Sequence, residues 1–246
     1  MNHINHMVDL HTHILPGLDD GAKNWEESLK MCTFAQKEGI TTIVCTPHII
    51  PGTYDNNREK ILLITGKLKE KLKQQRINLK VVPGAEIRLF PDIIKQLKNK
   101  TLLTINDMGK FLLIEFPLNW IPPFTRDLIF QLQLRNFTPI ISHPERNRDI
   151  RETPDLVYHL VKQGALIQIS SLSILGYLGK RVRRFCEKLI RHNLVHLVAS
   201  DIHSPGKFFL RESLKTISGW IGKESALKLF TENPQRIVRG EDLKIC

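Results

Sequence analysis

Short apolar, β-branched runs alternate along this chain with longer stretches of helical periodicity. The runs cover 7–13, 41–46, 79–86, 111–116, 138–143, 165–170 and 195–200. That alternation predicts βα units and a mainly parallel sheet. The first helical stretch is the clearest. Asn24 stands at its N-cap with Glu27 three residues on, as in a capping box. Trp25, Leu29, Cys32 and Ala35 then share one stripe, and Gly39 ends it. A second helix is expected over about 58–73, with Ile61, Leu68 and Leu72 on one face. A later one is expected over 154–162, stopping at Gly164. Seven strands at this spacing suit a closed barrel or an open doubly wound sheet, and periodicity leaves both open. The length of 246 residues suits one α/β domain, expected over 7–246 after a short N-terminal extension at 1–6.

Composition narrows the class. Apolar residues make up 41% and charged residues 25%, as in globular proteins. No apolar run approaches the ~18 residues of a membrane span. The first ten residues contain no apolar core of a secretory signal. A cytoplasmic protein, not an integral membrane one, is therefore expected. Cys32, Cys45, Cys186 and Cys246 form no CxxC and no regular framework, so reduced thiols are expected. None has an Arg six positions later, which leaves no Cys-x5-Arg phosphatase loop. The net charge of +11 fits an anionic partner or, alternatively, well-solvated helix faces. The basic residues concentrate around 58–80, 95–100 and 180–191, spread among apolar positions. They carry no RNA-binding or helix-turn-helix signature. Solvated faces are the expectation here, and no nucleic-acid partner.

The chemistry lies in what ends each run. The first ends in His11-Thr12-His13, the second in Thr46-Pro47-His48, and the third in Gly84-Ala85-Glu86. Glu115 ends the fourth, Ser142-His143-Pro144 the fifth and Asp201-Ile202-His203 the seventh. Only the sixth, ending near Ser170, lacks a titratable group. In α/β folds the carboxyl ends of parallel strands converge on one face. Residues two apart on a strand point the same way, so the H-x-H and D-x-H pairs each aim into one cavity. Carboxylates gathered there repel one another unless cations intervene, and neutral imidazoles serve as further ligands. Each residue alone has a plainer reading. A single His is usually a core or surface group, Glu86 and Glu115 alone suit structural ion pairs, and Asp19-Asp20-Gly21 alone suits a turn. Asp9 reads as a supporting carboxylate. His3, His6, His159, His192 and His196 read as non-ligands. Six ordered strand ends of ligand type are hard to assign to chance.

Residues 11–21, from His11-Thr12-His13 to Asp19-Asp20-Gly21, resemble the first motif of the polymerase and histidinol phosphatase (PHP) superfamily. The similarity is closest to its bacterial manganese-dependent protein-tyrosine phosphatases of capsule and exopolysaccharide synthesis. Thr46-Pro47-His48, Gly84-Ala85-Glu86, Ile114-Glu115-Phe116, Ser142-His143-Pro144-Glu145-Arg146 and Ala199-Ser200-Asp201-Ile202-His203 extend the match. Asn233-Pro234-Gln235-Arg236-Ile237 also resembles this branch, so the likeness runs over about 7–238.

The resemblance implies a distorted seven-stranded (β/α)7 barrel, TIM-barrel-like, with three metals. In it His11, His13, Glu86 and Asp201 would hold one ion. Glu86, Glu115 and His143 would hold a second, and Asp20, His48 and His203 a third. Arg146 would bind the substrate phosphate through its guanidinium fork. Members of this branch often carry a second such Arg just after D-x-H. Here Lys207 occupies that loop, and the next Arg is Arg211.

The implied reaction is hydrolysis of phosphotyrosine by a metal-activated hydroxide, with His48 as a candidate acid. The ligand set suits Mn2+, with Fe2+ or Zn2+ as alternatives, rather than Ca2+. The implied partner is a tyrosine-phosphorylated protein, by resemblance a bacterial tyrosine kinase of polysaccharide synthesis. The rivals are a small-molecule phosphatase of the histidinol-phosphate type, a nuclease, and a non-catalytic regulator that binds a phosphoprotein through its basic face.

Overall fold

A computed structural model describes residues 6–243 of the chain. Most of the expected extension at 1–6, with His3, and Cys246 at the far end lie outside the described residues. The strands are β1 (Met7–Thr12), β2 (Ile40–Cys45), β3 (His48–Ile49), β4 (Lys80–Pro83), β5 (Glu86–Arg88), β6 (Phe111–Glu115), β7 (Thr138–Ser142), β8 (Leu166–Ser170) and β9 (Leu197–Ala199). Every ladder between them is parallel. They form a sheet of order β1-β2-β4 and a sheet of order β3-β5-β6-β7-β8-β9. The fold class is α/β with parallel sheets, as the alternating pattern predicts.

Each apolar run is a strand, but nine strands stand among the described residues where seven were expected. Chain continuity explains the difference. Pro47 has no N–H to give a ladder, and a Cβ on Gly84 would lie 2.7 Å from Val44 Cγ1. The chain breaks at Thr46-Pro47 and again at Gly84-Ala85, on adjacent strands. Beyond the breaks β3 pairs with β5, as β2 pairs with β4 before them. At the other side, the Asp201 N–H donates to His11 O (2.9 Å) and the His13 N–H to Ile202 O (3.0 Å). The segment after β9 is thereby tied to β1.

The helices are α1 (Trp25–Lys37), α2 (Arg58–Gln74), α3 (Ile93–Lys98), α4 (Thr125–Gln133), α5 (Arg148–Glu152), α6 (Asp155–Lys162), α7 (Ser171–Leu175), α8 (Lys180–Arg191), α9 (Leu210–Ile221), α10 (Lys223–Phe230) and α11 (Glu232–Val238). Asn24 caps α1 by accepting from the Glu27 N–H (3.0 Å). The reciprocal bond slips by one residue, since Glu27 Oε2 takes the Lys23 N–H instead. The buried stripe of α2 is Ile61, Thr65, Leu68 and Leu72, and Gly164, at φ +84°, follows α6 as expected.

One face of the strands packs on the helices. Ile43, Val81, Leu112, Ile141, Ile167 and Val198 belong to that outer core. The other face forms a separate apolar cluster from Val44, Val82, Phe111, Leu113, Ile140, Leu166 and Leu197, joined by Ile237 and Val238 of α11. Follow that face toward the strand ends and its chemistry changes. Two residues past Leu113 is Glu115, two past Ile140 is Ser142, and two past Leu166 is Gln168. The period of two thus carries one face from apolar to polar within a single strand length.

His196 seals the start of β9 on this frame. Its N–H donates to Ile167 O (3.0 Å), and its Nδ1 accepts from the Ile167 N–H (3.0 Å). That acceptor role requires a neutral ring, and burial pushes the imidazole down to about 4. The unfolded chain therefore binds a proton between about pH 6.5 and 4 that the folded chain refuses. Stability is present above the unfolded value and falls as the pH drops through this window. Chemical denaturation in chelator, compared with His196→Asn, should show wild type losing about 3 kcal/mol more than the variant from pH 6.5 to pH 4. An Asn oxygen can keep the acceptor role without titrating, so equal pH slopes would contradict this account.

Candidate metal centre

The polar ends of the strands meet around Glu86, which is fully buried. Its Oε1 accepts from the Ser142 hydroxyl (2.7 Å) and lies 2.9 Å from His143 Nε2. Its Oε2 lies 3.1 Å from His11 Nε2, 3.0 Å from His48 Nδ1 and 3.6 Å from His13 Nε2. Asp201 Oδ1 faces the same two rings, 3.3 Å from His11 Nε2 and 3.4 Å from His13 Nε2. Glu115 closes a further side, 3.9 Å from His143 Nε2 and 4.0 Å from His48 Nδ1. Asp20 Oδ1 stands 3.6 Å from His48 Nε2 and 3.5 Å from His203 Nε2. The His13 and His203 rings stack with centroids 3.9 Å apart. All nine expected ligands therefore converge.

Ring orientation is set from behind. His11 Nδ1 lies 2.9 Å from Gln168 Oε1, so in the neutral ring Nδ1–H donates to the amide oxygen and the unprotonated Nε2 points inward. Asp19 does the same for His13, with Oδ2 2.7 Å from Nδ1, and it also accepts the His48 N–H (2.9 Å) and the Gly21 N–H (2.9 Å). Gly21 packs onto the His13 backbone so closely that a Cβ would lie 2.1 Å from His13 O. Arg88 Nε donates to Glu115 Oε2 (2.7 Å). His203 Nδ1 is held at Asp201 O (3.0 Å). His143 and Asp201 adopt left-handed backbone, at φ +30° and +56°. Such strain in non-glycine residues collects where a site must aim its side chains.

Sequence reading overlooked Gln168 and left Asp19 as part of a turn. A signal existed for Gln168, the one polar residue inside the apolar run Leu166-Ile167-Gln168-Ile169. The Asp9 expectation holds: its Oδ1 accepts from the His11 N–H (3.3 Å) and the Ser200 N–H (3.0 Å), behind the cluster. Burial raises its carboxyl to about 6. Arg146 Nη2 sits 2.6 Å from Asp201 Oδ2 and 3.3 Å from Ser170 Oγ. Arg146, Asp201, His203, Lys207 and Phe209 line one cavity of about 370 Å3. A larger concavity of about 790 Å3, beside Ile121, Arg126 and His159, contains none of the clustered ligands. Chemistry, not size, therefore marks the site.

The donors suit divalent cations. Buried Glu86 Oε2, Asp201 Oδ1 and His48 Nδ1 have no aligned hydrogen-bond partner, although each faces other donors of the cluster. Unpaired buried polar atoms are costly, and cations held by the donor groups they belong to would satisfy them. Four groups bring their donor atoms within 4.8 Å: His13, Asp20, His48 and His203; His11, Glu86 and His143; His11, His13 and Asp201; His48, Glu86 and Glu115. These overlap the three expected sets, with His13 also reaching the third. The metal-free protein uses protons instead. Burial pushes the His11 ring down, but Glu86 and Asp201 overturn this and lift it to about 9. Burial likewise opposes charge on His13, and Asp19 and Asp201 raise it well above the ordinary value. Burial would raise Glu86, yet His11 and His143 hold it well below the carboxylate range.

Comparison with known proteins follows this geometry. Residues 7–239 match the sequence model of a family described as capsular polysaccharide synthesis, CpsB/CapC. Tyrosine-protein phosphatase YwqE of Bacillus subtilis is 40% identical over 239 residues, spanning 96% of this chain and 93% of the relative. A crystal structure described as YwqE from Bacillus subtilis and CpsB from Streptococcus pneumoniae, unique metal-dependent tyrosine phosphatases, superposes with a TM-score of 0.92, covering 96% of each chain. A histidinol phosphate phosphatase from Lactococcus lactis reaches a TM-score of 0.58 at 14% identity over 89% of this chain and 93% of its own. That likeness concerns the fold alone.

Two outcomes follow from the geometry. Gln168→Leu removes the acceptor behind His11, so metal affinity should fall about 10- to 100-fold. The melting temperature in chelator should hardly change, because a buried amide nitrogen without a partner leaves with the side chain. Metal uptake near neutral pH should release protons, since His11 is charged there before loading and neutral as a ligand. Calorimetric titration in buffers of different ionisation enthalpy measures that release. A buffer-independent heat would refute it.

Proposed function

The chain belongs to the CpsB/CapC family of capsular polysaccharide synthesis, and from that premise we propose that it is a metal-dependent protein-tyrosine phosphatase. The observation that carries this reading is the meeting of nine His, Asp and Glu ligands beside a guanidinium that lines the same cavity. His11, His13, Glu86 and Asp201 would hold one ion. Glu86, Glu115 and His143 would hold a second, and Asp20, His48 and His203 a third. Mn2+ is the proposed native ion, with Fe2+ or Zn2+ the alternatives for a mixed nitrogen and oxygen set. Bound divalent ions supply Lewis acidity toward phosphoryl oxygens and make water a stronger acid.

The chain's own groups do the rest. Arg146 presents a planar fork to the non-bridging oxygens, and Asp201 and Ser170 keep it aimed. Lys207, lining the same cavity, adds a point charge without that fork. A tyrosine leaving group departs as a phenolate of pKa ~10, so it leans little on a proton donor. His48 is the candidate donor, a ring that faces Glu86 Oε2 from Nδ1 (3.0 Å) and Asp20 Oδ1 from Nε2 (3.6 Å). Cys32, Cys45 and Cys186 have no part: burial pushes Cys32 up to about 12 and raises Cys45 and Cys186 well above the ordinary value.

The proposed substrate is a tyrosine-phosphorylated kinase of polysaccharide synthesis, met in the cytoplasm. No helix among the described residues is long and apolar enough to cross a membrane. We read residues 7–246 as one domain and the two sheets as one distorted (β/α)7 barrel. The hydrogen bonds between β1 and the segment after β9, and the matched breaks in β2/β3 and β4/β5, support that reading.

The test is hydrolysis of a phosphotyrosine peptide by metal-stripped protein with Mn2+ added back. Activity should return with Mn2+, vanish in His11→Ala/His13→Ala, and be much weaker on phosphoserine and histidinol phosphate. Arg146→Ala should lower kcat/KM by about 10²–10³, with Arg146→Lys in between. No turnover with any metal, or full activity in the double variant, would sink the assignment.

A further inference from the structure

Helix α8 carries Lys180, Arg181, Arg183, Arg184, Lys188 and Arg191, with Glu187 as its only acid. Glu187 is taken by Arg191, which donates to it from Nε (3.0 Å) and Nη2 (2.8 Å). The Arg183 guanidinium lies 6.0 Å over the Trp220 ring. Lys180, Arg181 and Arg184 are exposed and make no ion pair among the described residues. Their placement is costly, because cations at the start of a helix oppose its dipole. The first turns of α1, α2, α9 and α10 carry an acid, and that of α8 carries none. Solvation of an outer face, the expectation from sequence, accounts for charge on α8 but not for its crowding at this end.

The turn before that end packs on a wall of the phosphate cavity. Leu172 and Phe209 both line the cavity. Leu172 O accepts from the Tyr177 N–H (3.0 Å), and the Tyr177 ring packs 5.2 Å from Phe209. Lys180 begins α8 three residues later. Lys207, on the same cavity wall, is also exposed. The neighbouring acids are Glu38 and Glu212, and Glu38 accepts the Phe208 N–H (2.7 Å) with Lys207 and Arg211 close enough to favour its charge. Positive charge thus continues from Arg146 and Lys207 inside the cavity to Lys180, Arg181 and Arg184 outside it. A phosphate dianion bound at Arg146 would leave the outer three cations without a counter-charge.

We propose that Lys180, Arg181 and Arg184 form a docking surface for acidic residues flanking the phosphotyrosine of a polypeptide substrate. This rests on the phosphatase reading and adds to it a preference among phosphotyrosine sequences. An extended peptide advances about 3.3 Å per residue, so a few acidic neighbours reach past the cavity rim onto α8. Surface pairs of this kind act through encounter and KM and are screened by salt.

The test compares the Mn2+-loaded wild type with Lys180→Glu/Arg181→Glu/Arg184→Glu and with Arg181→Lys/Arg184→Lys. Substrates are a phosphotyrosine peptide flanked by Glu and Asp, the same peptide with Gln and Asn flanks, and p-nitrophenyl phosphate. At low ionic strength wild type should favour the acidic peptide by about tenfold in kcat/KM, mostly through KM. The triple variant should lose that preference and keep its turnover of p-nitrophenyl phosphate, while the Lys variant retains it. Added salt should erase the preference in wild type. Fluorescence anisotropy of the labelled acidic peptide without phosphate reads the surface independently of catalysis. Loss of turnover on every ester would overturn the phosphatase reading alone. Equal kcat/KM for the two peptides, or equal anisotropy for wild type and the triple variant, would overturn the docking surface. Charge-dependent binding to phosphatidylglycerol vesicles without binding to the acidic peptide would overturn it in favour of a lipid surface.

Discussion

Glu86 is a carboxylate with no exposure to solvent, and the end of the fold that matters for chemistry is arranged around its charge. An isolated carboxylate in such a place would cost far more than any single contact returns. The protein surrounds it with His11 from β1, His48 from the start of β3, and the Ser142 hydroxyl and His143 from the end of β7. The requirement propagates. The imidazoles must present one chosen nitrogen, so Gln168 and Asp19 stand behind them, and Asp19 is itself held by the Gly21 and His48 N–H groups. His143 and Asp201 must leave their strands at an angle ordinary backbone does not provide, hence their left-handed conformations.

The same strands that carry these groups also build the interior below them. A face that reads Phe111, Leu113, Glu115 or Leu166, Gln168, Ser170 is a core at one end and a ligand field at the other. Rigidity and chemistry are therefore supplied by one element over two or three residues. Close packing at the apolar end limits how far any ligand can drift. It also explains why the larger concavity beside Ile121 and Arg126 holds none of the cluster: it lies among helices and loops, away from the converging strand ends.

Much of this was legible in the chain. The apolar runs are strands, and the ligand types that end them meet, because period-two alternation and the direction of parallel strands are local properties. The breaks at Thr46-Pro47 and Gly84-Ala85 were not foreseen, although Pro47 and Gly84 are the residues that cause them; their effect depends on Val44 of the neighbouring strand. Gln168 was passed over because an amide does not titrate, and Asp19 because its partner, His13, is fixed only once the turn at Gly21 folds back onto it. The slip of the Glu27 bond to the Lys23 N–H likewise belongs to geometry finer than spacing can register.

The ties between β1 and the segment after β9 have a consequence for synthesis of the chain. His11 and His13 emerge from the ribosome first, but Asp201 and His203 follow some 190 residues later, and Ile237 and Val238 of α11, which plug the apolar interior, come after those. During translation β1 waits with its ladder to the segment after β9 unmade and its histidines without their last carboxylate. Long-range closures of this kind come late and slowly. The nascent chain thus holds an incomplete ligand set until Asp201 and His203 have emerged, and full metal loading is reserved for chains extended past them.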